Sequence, residues 1–212
     1  MKKLAQIAAL FLSILILPGC AAGRNDGIVG DGSMPETEEI TFSPADAFSY
    51  VIGSAEETLE WAQKNPVAIS GETASGHEVI EAFFDAANAG NPASVLCAKY
   101  YDIHPESMSA ELYEEEKNQY PVLYFYLVEY DGKEYRVKTR ESSGTELLSE
   151  ETYPYFVHLT GKNPEGALTK YTDEYDLVYD PDVTLDQLWM AMASSASPEP
   201  VRFTPVFTDY HD

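Results

Sequence analysis

The chain has 212 residues, 36 acidic and 13 basic side chains, and a formal net charge of −23 at pH 7. A balance this acidic excludes the positive footprint that nucleic-acid binding needs and opposes docking onto anionic head groups. The length beyond the N-terminal region suits one domain with one core.

In chain order, the first segment is the most telling. Lys2 and Lys3 form a basic start, Leu4 to Leu17 an apolar core, and Leu17-Pro18-Gly19-Cys20 closes it. The apolar core is shorter than the roughly 20 residues a spanning helix needs. A charged start, a short apolar stretch and a small-residue site are the parts of a secretory signal. With a cysteine at its end, the segment resembles the signal peptide of bacterial lipoproteins. The resemblance implies that residues 1–19 are removed, that Cys20 carries a diacylglycerol, and that the protein is tethered to the extracytoplasmic side of the cell membrane. One acyl chain binds a bilayer only marginally, whereas two hold it stably. Loss of Lys2 and Lys3 leaves 11 of the 13 basic residues against 36 acidic ones, a net charge of −25. The lipid then supplies a membrane affinity that the charge opposes.

Residues 20–39, rich in Gly, Asp, Ser and Thr, form a lipidated flexible linker of roughly 25 Å root-mean-square span. Residues 40–212 form a single acidic domain. The only cysteine besides Cys20 is Cys97, which therefore has no partner for an internal disulfide. It lies in the apolar run Val95-Leu96-Cys97-Ala98 and is expected to be a buried structural thiol.

Three capping boxes mark helix starts: Ser54-Ala55-Glu56-Glu57, Ser75-Gly76-His77-Glu78 and Thr184-Leu185-Asp186-Gln187. The first helix should stop before Pro66. The second places Val79, Ile80, Phe83, Phe84 and Ala87 on one stripe and ends near Gly90. The third is expected to bury Leu188, Trp189 and Met192. Ser43-Pro44 permits an earlier short helix with proline in its first turn. Glu106 to Gln119 is acidic and reads as helix or loop. Strands are predicted at Val67–Ser70, Ser94–Ile103, Val122–Tyr130, Lys133–Arg140, Tyr155–Thr160, Tyr171–Val178 and Val201–Phe207. The expected fold class is α+β: a single domain with a largely antiparallel sheet and about three short helices.

Asp131-Gly132 between two strand-like runs predicts a hairpin with a two-residue turn. Val128 would then pair with Tyr135, Tyr126 with Val137 and Tyr124 with Thr139, on a core-facing side. The other side sets Leu123, Phe125 and Leu127 across from Arg136, Lys138 and Arg140, a cationic row beside exposed or half-exposed apolar groups. One reading is a docking surface for an anionic partner, with Arg136, Lys138, Arg140 and Phe125 as its residues. The other is an edge strand protected by its charges against edge-to-edge pairing.

Other motifs carry less. Asp180-Pro181-Asp182-Val183-Thr184-Leu185-Asp186 spaces oxygen ligands as a Ca²⁺ loop does, but Leu185 stands where the loop needs glycine and Ala191 where it needs glutamate. Thr184 is better explained as a helix cap. His77, His104, His158 and His211 form no H-E-x-x-H pattern, and G-x-S-x-G is absent. Glu114-Glu115-Glu116 reads as a solvated face. No residue is assigned a catalytic role, and no metal or cofactor is implied.

Phe83-Phe84, Glu129-Tyr130-Asp131-Gly132, Tyr175-Asp176-Leu177, Leu185-Asp186-Gln187-Leu188 and Ser194-Ser195 resemble segments of uncharacterised domains in lipoproteins of Gram-positive bacteria. That resemblance implies a secreted, tethered domain and supplies no functional residues. The expected function is a lipid-anchored extracytoplasmic domain that binds an envelope protein or polymer. The alternative is a carboxylate-dependent hydrolase of envelope glycan.

Overall fold

The computed structural model describes residues 42–71, 73–163, 169–193 and 201–212. The signal and linker expectations, Cys20 included, lie outside the described residues.

Among the described residues eight strands form two sheets. The first contains β1 (Ala68–Ser70), β2 (Ala93–Tyr101), β3 (Val122–Tyr130), β4 (Tyr135–Glu141) and β5 (Leu147–Tyr153), in that spatial order. Only the β1–β2 pair is parallel. The second sheet contains β6 (Tyr155–Lys162), β7 (Tyr171–Val178) and β8 (Phe203–His211), all antiparallel. The α+β content and antiparallel character are as expected, but the strands divide between two sheets. The described α-helices are α1 (Pro44–Ser49), α2 (Ala55–Ala62), α3 (His77–Asn88), α4 (Ala110–Glu116) and α5 (Leu185–Ala193), five where about three were expected; α1 and α4 are the short segments at Ser43-Pro44 and within Glu106–Gln119. No described helix is long and apolar enough to cross a membrane.

Helix α3 lays Ile80, Phe83 and Ala87 against Val95, Cys97, Val128 and Val137 of the first sheet and Phe156, Tyr175, Leu177 and Phe207 of the second. The Phe83 and Phe156 rings meet edge to face, 5.4 Å apart. On the opposite face of the first sheet, α1 and α2 bury Phe48, Ala55 and Ala62 against Leu96, Ala98, Leu123, Phe125 and Leu127. Helix α5 sets Leu188 with Val178 and Val183 on the second sheet. Trp189 is only half-buried and Met192 is 56% exposed, so that helix turns a narrower face inward than its composition suggests.

The sheets meet at β1 and β8. Gly71 N–H donates to Thr208 O at 2.9 Å, Thr208 N–H donates to Ser70 Oγ at 2.9 Å, and Gly71 bridges Asp209. His77, at the start of α3, holds Asp209 Oδ2 at 2.9 Å and fixes that helix to the same junction.

Two local expectations are corrected. The hairpin loop spans Asp131–Glu134, because the Asp131 carboxylate accepts from the N–H groups of Lys133 at 2.8 Å and Glu134 at 3.0 Å. Tyr130 therefore pairs with Tyr135, and Val128 with Val137. The shift is two residues, so each side chain keeps its face. Helix α3 is not capped by Ser75, which is tied to Ile69 by two main-chain hydrogen bonds. Gly76 is its N-cap at φ 76°, where an added Cβ would lie 2.4 Å from Val67 O. Ser54 and Thr184 do cap their helices with their Glu57 and Gln187 partners.

Candidate functional site

The four residues of the expected cationic surface do not form one. Phe125 is fully buried and Arg140 is 2% exposed. Both strands of the hairpin lie inside the five-stranded sheet, whose edges are β1 and β5, so edge protection does not explain the charges either. Strand β3 reads Val-Leu-Tyr-Phe-Tyr-Leu-Val, apolar at both alternating sets of positions, as a strand covered on two faces does. The guanidinium of Arg140 donates to the carbonyls of Phe48 and Tyr50 at the end of α1, and to Glu141 at 2.9 Å and Gly144 at 2.7 Å. Its carbon sits 5.1 Å from the Phe125 ring centroid. Burial lowers its pKa from the ordinary value. Lys138 is half-buried and bonds Glu129 at 2.9 Å. Arg136 is exposed, pairs with Glu150 at 3.6 Å, and borders a shallow hollow that also holds Glu129, Asp131 and Glu134. A hollow with that lining does not attract an anion.

A different cleft forms where β1, β2 and β8 end together. One part, of 410 Å³, is lined by Thr73, Tyr100, Tyr101, Asp102, His104 and Tyr210 among others. An adjoining part of 230 Å³ reaches Lys99, Glu174 and Met192. The two share Ser70, Gly71, Tyr100, Tyr101 and Tyr210. The strands place these residues: parallel β1 and β2 carry their C-terminal residues to the same end, and the Gly71–Asp209 bridge brings β8 alongside.

Tyrosine dominates the walls. Tyr101 and Tyr210 are exposed, and Tyr124 supports Tyr101 edge to face at 5.9 Å. Burial is the first cause of the raised pKa at Tyr101 and at Tyr210; for Tyr210 the neighbouring Glu174 carboxylate adds to it. The phenols are therefore neutral hydrogen-bonding groups at physiological pH. Ser70 accepts from and donates to the Thr208 main chain, so its hydroxyl braces the sheet junction.

At the inner end lies a buried group of charges. Lys99 is 8% exposed; its ammonium donates to Pro205 O at 2.7 Å and lies 4.9 Å from the Tyr126 ring centroid. Burial lowers its pKa to about 8, against the pull of Asp176 and other neighbours. Glu174 and Asp176, two apart on β7, share one face. Burial is the main cause of the upward shift at both, strongly so at Asp176. Asp176 is fully buried, and neither carboxyl oxygen has a hydrogen-bond partner among the described residues.

The remaining sequence candidates fall elsewhere. Cys97 is fully buried, and burial pushes its thiol pKa up to about 12, as the apolar run implied. Asp180 accepts from Asp182 N–H at 3.0 Å in an ordinary turn before the Thr184 cap. His158 stacks on Tyr175 at 4.1 Å and bonds Asp173. His77 and His211 both approach Asp209 Oδ2, at 2.9 and 3.9 Å. Among the described residues no group of three His, Cys, Asp or Glu side chains is placed to hold a metal. No family model, curated protein or solved structure matches the chain.

The sequence carried a signal for the cleft that the motifs did not use. Lys99-Tyr100-Tyr101 puts a lysine and two tyrosines at the end of an apolar strand, and Glu174 and Asp176 repeat with a strand's period of two. Their convergence depends on the meeting of two sheets, which no local pattern encodes.

Proposed function

We propose that the protein is a lipid-anchored domain on the extracytoplasmic side of the cell membrane that binds uncharged envelope glycan in its tyrosine-lined cleft. The observation that carries this reading is the pairing of exposed Tyr101 and Tyr210 rings with Thr73, Asp102 and His104 in one cleft. Aromatic rings offer flat apolar faces to the C–H side of a sugar ring, and the hydroxyl, carboxylate and imidazole groups suit its hydroxyls. A mostly apolar wall with a few convergent polar groups is how small-ligand sites are generally built. The surrounding acidity disfavours an anionic polymer, as does the local pairing of Arg136 and Lys138.

The anchor rests on Lys2, Lys3, the apolar core and Cys20. Metabolic labelling with a palmitate analogue should mark the wild type and not Cys20→Ser; equal label on both removes the anchor. For the cleft, oligomers of N-acetylglucosamine serve as an uncharged stand-in for envelope glycan. Calorimetric titration should show saturable binding that Tyr101→Ala weakens.

One observation favours hydrolysis instead: Glu174 lines the cleft with its carboxyl pushed toward the protonated form, as a general acid requires. Glycoside hydrolysis also needs an ionised carboxylate opposite that acid. Asp176, the neighbour on the same face of β7, is pushed toward the protonated form too, and Asp102 lines only the outer part of the cleft, away from the compartment that holds Glu174, so binding is the better supported reading. Chromatography of the oligomers after long incubation should show them intact.

A further inference from the structure

The inner end of the cleft holds an amine whose surroundings the binding reading leaves unused. We propose that Lys99 is a reactive amine that captures a carbonyl ligand as an imine, with Glu174 moving the protons. The ligand class is an aldehyde or ketone small enough for the inner compartment of 230 Å³. Resting on the glycan-cleft reading, the natural source of that carbonyl is the open-chain reducing end of a sugar.

Three features of the fold support this. Lys99 and Glu174 line the same compartment from different sheets, so amine and carboxyl face a common space. One N–H of Lys99 is held by Pro205 O at 2.7 Å, which fixes the nitrogen while leaving its lone pair for attack once the amine is neutral. Around it stand the Tyr126 ring, buried Cys97, Glu174 and the unpartnered carboxyl of Asp176. Such a setting opposes full protonation of the amine: burial is stronger here than the pull of the carboxyls. With a pKa of about 8 instead of 10.5, the neutral fraction at pH 7 rises about 300-fold. Desolvated lysines in pockets are the usual imine-forming amines.

The step balances without an outside oxidant or reductant. The amine lone pair forms a bond to the carbonyl carbon, and the carbonyl π electrons move to oxygen. The protonated Glu174 carboxyl gives its proton to that oxygen, and the carboxylate so formed takes one from nitrogen, giving a carbinolamine with the carboxyl protonated again. A second proton from the Glu174 carboxyl then lets the hydroxyl leave as water while nitrogen forms the double bond. The nitrogen proton restores the Glu174 carboxyl. The net change is loss of one water.

The test uses the purified full chain, glycolaldehyde as the probe and cyanoborohydride to trap the imine, with adducts mapped by peptide mass spectrometry. Lys99 should be labelled at pH 7 at least about tenfold faster than exposed Lys64 and Lys133. Its rate should level off above pH 8, while theirs continues to climb. Glu174→Gln should slow labelling at Lys99 alone. Labelling of Lys64 and Lys133 with Lys99 unmarked overturns the proposal, as does a Lys99 rate that follows the surface lysines across pH. Binding of borohydride-reduced oligomers, which have no carbonyl, is measured in parallel. Binding without Lys99 labelling leaves the glycan cleft standing and removes the imine; labelling without binding does the reverse.

Discussion

The guanidinium of Arg140 on β4 donates to the main-chain carbonyl of Phe48 at the end of α1, across the apolar layer between that helix and the sheet. The same side chain closes hydrogen bonds to Tyr50, Glu141, Ser142 and Gly144 and sits over the Phe48 and Phe125 rings. A planar cation with five donors meets here a ring of carbonyls left over by a helix end and a strand end. Its charge is therefore structural and unavailable to a partner.

Arg140→Ala removes one donor from each of those carbonyls and opens a cavity. We expect a loss of about 3 kcal/mol or more in urea unfolding, since hydrogen bonds to charged groups contribute about 1.5–3 kcal/mol each. A loss under about 1 kcal/mol contradicts the structural role. Arg136→Glu, at an exposed site, should leave the midpoint almost unchanged.

Gly76 carries the turn into α3 in the left-handed region and packs its Cα face on Val67 O. Gly76→Ala should destabilise by about 2 kcal/mol, combining an unfavourable φ with displacement of the strand behind it. Ser75→Ala should cost far less, because Ser75 acts through its main chain.

The contrast between those two positions shows how far local sequence reaches. Ser54 and Thr184 carry the same signature as Ser75 and form the expected caps, their main-chain N–H groups bonded to the Glu57 and Gln187 side chains. At Ser75 a bridge to Ile69 takes precedence, and the motif alone does not encode it. The hairpin strands were legible because Val122–Val128 is an unbroken apolar and aromatic run before the Asp131-Gly132 turn. Which of its faces is covered was not, because α1 and α2 arrive from far earlier in the chain. Strand β5 reads Leu-Leu-Ser-Glu-Glu-Thr-Tyr, mostly exposed and acidic; it is a strand because β4 offers it a partner. The cleft was illegible for a related reason: Lys99 and Glu174 meet only when the two sheets join.

Cys97 should be inert in the folded chain. With the thiol buried and its pKa near 12, an Ellman-type reagent should fail to react in native buffer and react fully in denaturant. Rapid native labelling of Cys97 overturns the assignment.

Lys99 gives stability a defined pH dependence. Its folded pKa, about 8, lies below its ordinary value of 10.5, so between these the unfolded chain binds the extra proton. Stability therefore rises with pH across that window and the cost of burying the ammonium is fully felt below pH 8. Relative to Lys99→Met, which removes this amine and keeps the distant titrating groups, the wild type should gain about 2 kcal/mol between pH 8 and pH 10. A difference that stays flat places the ammonium in contact with water.

The most direct test of the binding account is equilibrium titration of N-acetylglucosamine oligomers into wild type, Tyr101→Ala, Tyr210→Ala and Arg136→Glu. The account predicts saturable binding by wild type, about tenfold weaker binding for each tyrosine variant with folding intact, and no change for Arg136→Glu. Binding that survives both tyrosine changes, or that falls only with Arg136→Glu, contradicts it.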